Sequence, residues 1–341
     1  MSSVSKAVDP TPAPARPLLD ALIAAGGGHI RAVLLFGSQL VRATPNAHSA
    51  WDFVVVVDAY GPFHRALVDT GHHRRPAWLL SALGSVLAPN ITAFDPGDGA
   101  PLAKCAIVSA AGFARAVGPG SPDHFLKGRM VQQVALLWAR SDDDATWARD
   151  RLRGARDDVL HWAGPYFEAP FTPSEFAHGM LRVSYGGEVR PENKDRVDAV
   201  FEAQREFLSQ AYTEVLEAAA DEGRVRRVEG GRYAIEPAPG AGARLAVSTY
   251  FLWSKVRATV RWAKHIVTFN DWLTYIQRKA ERRTGMEIEI TPWERRLPLL
   301  LLWPKVFRVL RAREVAPVDP QPESLEDPVP QPDSANSDAS S

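Results

Sequence analysis

Gly37-Ser38 and Asp52 are the residues of this chain whose types and spacing could do chemistry. The Gly-Ser pair ends one apolar run at Phe36, and Asp52 opens another after a polar loop. Where a strand breaks into Gly-Ser and a helix start, backbone N–H groups and a small hydroxyl can meet phosphate oxygens without a Cβ in the way. An acid at the lip of the neighbouring strand can hold a divalent ion against those phosphates. Nucleotidyl transfer needs both parts, so Asp52 and Ser38 are candidate catalytic residues, with Gly37 and Ser38 gripping a triphosphate. A second acid two residues on would share the strand face, but that position is Val54. Asp58 has the right parity, and Asp52 with Asp58 is the metal set the sequence offers. In a straight strand the two would be roughly 20 Å apart, so sharing one ion requires a bend. The alternative is an ordinary turn at Gly37-Ser38 with Asp52 a solvated strand-end charge.

The elements that must position these groups follow from apolar runs and their breakers. Leu18 to Ala25 predicts a helix ended by Gly26-Gly27-Gly28, followed by strands over Ala32 to Phe36 and Phe53 to Val57. Helices are expected over Pro62 to Val68 and Pro76 to Val86, the latter with Trp78, Leu79 and Leu83 as its apolar face. Asn90 to Phe94 and Leu102 to Ser109 read as strands about a Pro-Gly-Asp-Gly turn, and Val131 to Trp138 is a further apolar run. This interleaving predicts a mixed sheet with packed helices, an α+β fold over residues 17–140. From Asp142 long helices take over, capped by SDDDA, and make a helical region over 141–220. Residues 221–313 read as a hairpin about Gly230-Gly231 followed by basic amphipathic helices. A floppy leader (1–16) and a disordered acidic tail (314–341) complete the expected organisation.

Composition excludes some classes. The chain has 341 residues and formal charges that cancel, but the balance is a sum of unlike parts: basic residues outnumber acidic ones from Tyr250 to Arg313, and from Glu314 on the only charged residues are acids. A single cysteine, Cys105, excludes an internal disulfide, fits a reducing compartment and reads as core. No apolar run reaches the length of a membrane span, and the N-terminus lacks a signal core.

The chain resembles the nucleotidyltransferase superfamily built on the DNA polymerase β-like palm, and within it the mitochondrial-type phosphatidate cytidylyltransferases of the translocator assembly and maintenance family. LLFGSQL is similar to that family's aromatic-Gly-Ser-Gly-Val segment and WDFVVVVD to its Asp-Phe-x-x-x-Val-Asp strand. His64 matches a following histidine, PNIT and AKCAIVS match strands supplying an Asn and a Lys (Asn90, Lys104), and KGRM matches a Gly-Arg. SYGGEVRPENKDRV resembles its Ser-Tyr-Ser-Gly-Asp-x-Arg loop and the lysine helix start beyond it, with Gly186 for Ser and Glu188 for Asp; Ala59 stands where the family often has a second Asp. The resemblance covers roughly residues 30 to 215. It implies transfer of CMP from CTP to phosphatidic acid, giving CDP-diacylglycerol and pyrophosphate, with Mg2+. It further implies nucleotide contacts from Asn90, Lys104 and Arg129, with Lys104 near the chemistry. His64, Tyr185, Gly187, Glu188, Arg190 and Lys194 would face the acceptor or the cytidine. Without the resemblance, Lys104 and Arg129 read equally well as solvated charges and His64 as a structural residue.

The chemistry is consistent with that assignment. Joining two phosphates is limited by charge repulsion and in-line placement, and a phosphate monoester is already mostly ionised at neutral pH, so no strong base is needed. Ser248 to Val267 places Trp253, Val256, Val260 and Val267 among Lys255, Arg257, Arg261 and Lys264, and ERRLPLLLLWPKVFRVLRAR repeats the mixture more densely. Such segments suit an anionic membrane surface, and the Leu-rich core argues against nucleic acid. They would equally suit packing on the catalytic body or a homodimer. The expectation is therefore a cytoplasmic enzyme, peripheral on the inner face of a membrane and without a targeting peptide. The rivals are a soluble nucleotidyltransferase acting on a hydroxyl and a non-catalytic scaffold.

Overall fold

The computed structural model describes residues 8–41, 50–94, 102–188, 194–268, 291 and 293. Met1–Trp272 forms one compact unit; of the second, Leu273–Ser341, only Thr291 and Trp293 are described. Arg190, the basic segment 294–313 and the acidic tail lie outside the described residues.

In chain order the elements are α1 (Arg16–Ala25), β1 (Ile30–Phe36), α2 (Ser38–Val41), β2 (Trp51–Val57), α3 (Tyr60–Asp69), α4 (Ala77–Val86), β3 (Asn90–Phe94), β4 (Ala103–Ser109), α5 (Ala110–Val117), α6 (Lys127–Met130), β5 (Ala135–Ala139), α7 (Asp142–Asp157), α8 (Val159–Trp162), α9 (Pro173–Gly186), α10 (Lys194–Glu202), α11 (Arg205–Asp221), β6 (Val225–Val228), β7 (Arg232–Ile235) and α12 (Ala241–Thr268). The fold is α+β. Five strands form one mixed sheet in the order β3-β4-β2-β1-β5, in which only β2 and β4 run parallel.

Alternation along the central strands sets the core. Phe53, Val55 and Val57 of β2 share a face with Val33 and Leu35 of β1 and with Cys105 and Ile107 of β4. That face is packed by Leu18, Leu19 and Leu22 of α1 and by Phe63 and Leu67 of α3. Val54 and Val56 point the other way and are equally buried. There α5 approaches β4 closely enough that a Cβ on Gly112 would lie 3.2 Å from Val108 Cγ2. Both faces of β2 are thus dry, which explains its unbroken Val run.

Three elements depart from expectation. Asp9, placed in the floppy leader, accepts a hydrogen bond from Leu136 N at 2.7 Å and donates its own N–H to Leu136 O, covering the edge of β5. In α4 the buried residues are Leu80 and Gly84, whereas Trp78 is 72% exposed. Gly84 decides the orientation, because a Cβ there would lie 2.9 Å from the Tyr60 ring. The third is α12. Its exposed side carries Leu245, Leu252, Trp253, Val256 and Val260, while Arg261 and Lys264 are buried and Arg257 is half-buried. Arg261 is 1% exposed and donates to Asp123 Oδ2 at 2.5 Å, and Arg257 Nε donates to the same oxygen at 3.1 Å. Lys264 donates to Leu87 O, to Pro89 O and to Asn90 Oδ1. A buried cation is stable only where acceptors meet it, and the 87–90 loop and Asp123 supply them. Among the described residues no helix is long and apolar enough to cross a membrane.

Candidate active site

Phe36 of β1 pairs with Asp52 of β2, and Asp52 is level with Lys104 of β4. Gly37, Asp52 and Lys104 therefore lie at one end of the sheet. Gly37 has φ +85°, and a Cβ on it would sit 3.0 Å from Asp52 Oδ2. Glycine is thus required twice, by the backbone turn and by the approach of the carboxylate. Ser38 begins α2 immediately afterwards.

These residues form one wall of a cleft of about 460 Å³, lined by Phe36, Gly37, Ser38, Val41 and Asp52 on the sheet side. Arg129 lines it from α6, Gln132 and Gln133 from the segment between α6 and β5, Tyr185 and Glu188 from the end of α9, and Arg196, Ala199, Val200, Ala203 and Gln204 from α10 and its end. The size is that of a small-ligand site. Arg129 reaches the cleft because Gly128 lets α6 approach α9, where a Cβ would be 2.8 Å from Ser184 Oγ. Its Nη1 donates to Phe125 O at 2.6 Å and lies 3.3 Å from Glu188 Oε1. An amide network stiffens the floor: Gln204 Nε2 donates to Gln132 Oε1 at 3.1 Å, and Gln204 Oε1 accepts from Gln133 N at 3.0 Å. Burial raises the Tyr185 hydroxyl above its ordinary pKa and the Glu188 charge adds to this, opposed by its hydrogen bond to Gln132 and by Arg129 and Arg196.

Of the residues expected to act together, Ser38, Gly37, Asp52, Arg129, Tyr185 and Glu188 do share this cleft. Lys104 stands beside Asp52 in register but is exposed and not part of the lining. Asp58 is at the opposite end of β2, where Arg140 grips both its oxygens at 2.5 and 3.2 Å; β2 keeps unbroken register with β4 from Trp51 to Val57, so Asp58 and Asp52 stand a strand's length apart and do not share one ion. Asn90 is level with Ile107, three residues along β4 from Lys104, which places it on the opposite sheet face as well as farther from Asp52. There its Nδ2 donates to Leu80 O at 2.7 Å and to His64 Nε2 at 3.1 Å. His64 is 1% exposed, and burial, with lesser repulsion from His73 and Lys264, lowers its pKa to about 3, so it is a neutral core residue. Gly187 serves packing: a Cβ there would lie 2.1 Å from Phe251 Cδ1. Lys194 is exposed at the start of α10 and does not line the cleft.

Arg196 takes the place expected of Lys194. Its signal was present, because positions 196, 199, 200 and 203 make one helical stripe, but only the docking of α10 shows that this stripe faces Asp52. Cys105 is buried as expected, its thiol pushed up by burial and then by the Asp52 charge.

No protein-family model matches the chain, and no curated protein matches it. For a magnesium ion the test is the donor set. Among the described residues no three His, Cys, Asp or Glu side chains come together as a cage, and the acids of the lining are Asp52 and Glu188. Mg2+ commonly takes one or two carboxylates and completes its octahedron with water and substrate phosphates. The cleft fits that mode, with Asp52 as the protein ligand beside the Gly37-Ser38 turn.

Proposed function

We propose that the protein is a nucleotidyltransferase that carries CMP from CTP to the phosphate of phosphatidic acid, releasing pyrophosphate. The observation that carries this reading is the meeting of Gly37-Ser38 with Asp52 at one sheet end, across a cleft from Arg129 and Arg196. In this reading the Gly37 turn and the Ser38 hydroxyl hold the triphosphate. Magnesium on Asp52 supplies charge neutralisation at the α-phosphate and at the leaving pyrophosphate when bound. Arg129 and Arg196 counter the second anion, so that two phosphates tolerate one another at bonding distance. Lys104, exposed beside Asp52, is placed to meet phosphate at the rim. The cleft walls hold the reactants in line, which is most of what phosphoryl transfer asks of a protein.

Peripheral attachment to the inner face of a membrane belongs to this proposal with a changed basis. The buried Arg261 and Lys264 of α12 cannot attract anionic lipid, and the apolar stripe Leu245, Leu252, Trp253, Val256 and Val260 is the exposed face the helix offers instead. That same inversion favours a second reading, a soluble transferase with a small acceptor.

The test is pyrophosphate release by the full chain with magnesium, comparing CTP with ATP, with and without phosphatidic acid vesicles. Release that needs CTP and phosphatidic acid together, and is lost in Asp52→Asn, supports the first reading. Release with CTP but no lipid dependence supports the second, and no release under any condition sinks both.

A further inference from the structure

Arg129 enters the cleft already engaged. Its guanidinium stacks over the Phe125 ring at 4.2 Å, donates to Phe125 O at 2.6 Å and pairs with Glu188 at 3.3 Å. The first two contacts fix its direction. The third, through the same Nη1, ties it to another residue of the cleft lining. Glu188 follows the last turn of α9, its N–H donating to Tyr185 O at 3.2 Å, and its side chain is 30% exposed. Arg196 lines the same cleft, and the Tyr185 hydroxyl experiences the charges of Arg129, Arg196 and Glu188 together. The wall facing Asp52 thus carries two arginines, and the Glu188 carboxylate rests on one of them, Arg129.

A carboxylate and a phosphate use the same face of a guanidinium fork, so they compete for it. A partly exposed ion pair is weak, and a phosphate dianion or a pyrophosphate carries more charge than a carboxylate. We propose that Glu188 is an intramolecular stand-in for the substrate's phosphate: it keeps Arg129 aimed into the cleft and yields that arginine to an incoming phosphate or diphosphate. Glu188 then neither contacts the substrate nor binds the metal. This assigns to Arg129 and Arg196 an anion site with a built-in competitor, and it reverses the role that the family resemblance gives Glu188. The identity of the anion rests on the nucleotidyltransferase reading; the existence of the site does not.

The sign of one substitution tests it. Glu188→Gln keeps the shape and removes the charge, so the full chain should bind inorganic pyrophosphate, measured by calorimetry without metal, roughly three- to five-fold more tightly than wild type. Glu188→Asp should stay near wild type, and Arg129→Gln should lose most of the binding in either background. Repeating the titration with CTP and with a water-soluble short-chain phosphatidate identifies which phosphate occupies Arg129, since only that ligand tightens in Glu188→Gln. Weaker or unchanged pyrophosphate binding in Glu188→Gln, or no binding by wild type, overturns the proposal. Tighter binding in a protein that releases no pyrophosphate from CTP leaves the anion site standing and removes the proposed reaction.

Discussion

Gly187→Ala should destabilise the protein through one contact, and the contact can be isolated. Gly187 has φ −77° and ψ −11°, a backbone that alanine adopts without strain. Replacing glycine there would by itself stabilise by about 0.4–1 kcal/mol through the unfolded chain. The new methyl, however, would lie 2.1 Å from Phe251 Cδ1 and 2.3 Å from Cε1. Phe251 cannot swing aside, since its ring is packed by His124 at 4.9 Å, Tyr250 at 5.4 Å and Trp162 at 6.2 Å. Forcing a methyl into such packing costs about 1–3 kcal/mol. Phe251→Ala alone should cost about 3–5 kcal/mol, because a ring only 7% exposed leaves a cavity. In the double variant the methyl occupies part of that cavity, so the two costs should fall short of their sum by about 1–3 kcal/mol. Urea unfolding of wild type, both single variants and the double variant measures this. Additive costs would refute the steric argument. A Gly187→Ala protein of wild-type stability with a raised KM would return Gly187 to substrate binding.

Gly37→Ala should cost about 1–2 kcal/mol from its left-handed backbone alone and displace Asp52 from the cleft; an unchanged melting temperature would contradict the fold at the site. Asp123→Asn should cost about 3–5 kcal/mol in urea unfolding, because it strands Arg261, which is 1% exposed and already held below its usual pKa by burial; a loss under about 1 kcal/mol would mean that the pair is solvated. Acid should unfold the protein early. Burial lowers His64, His124 and His265 to pKa values of about 3 each, with smaller contributions from neighbouring cations. The unfolded chain binds those protons first, near pH 6.5. Stability is therefore complete above about pH 6.5 and falls by about 1.4 kcal/mol per pH unit for each histidine as pH drops toward 3. Urea midpoints at pH 7.5, 6.5 and 5.5 give the slope, and a flat profile would show that these histidines are hydrated.

The sheet was legible because its signals are local. Four strands were marked by apolar runs bounded by Gly, Pro or Asp, and antiparallel register then brings Phe36 beside Asp52 without further information. The same logic shows where reading by parity fails: Asp58 has the parity of Asp52, but a straight strand carries it to the far end, where Arg140 is waiting. His64 and Asn90 do meet, but on the other face, because Asn90 is level with Ile107, an odd number of residues along β4 from Lys104. The opposite wall of the cleft was harder to read. Whether Lys194 or Arg196 faces Asp52 depends on how α10 docks through Val197 and Phe201, which are 3% exposed. For α12 the amphipathic period was plain and its direction was not. A stripe of arginine and lysine ordinarily marks the solvent side, and here it marks the core, since Asp123 and the Leu87, Pro89 and Asn90 oxygens lie more than a hundred residues upstream and no local pattern announces them. Position along a strand is a property of the sequence. Which side of a helix is inside is a property of its acceptors.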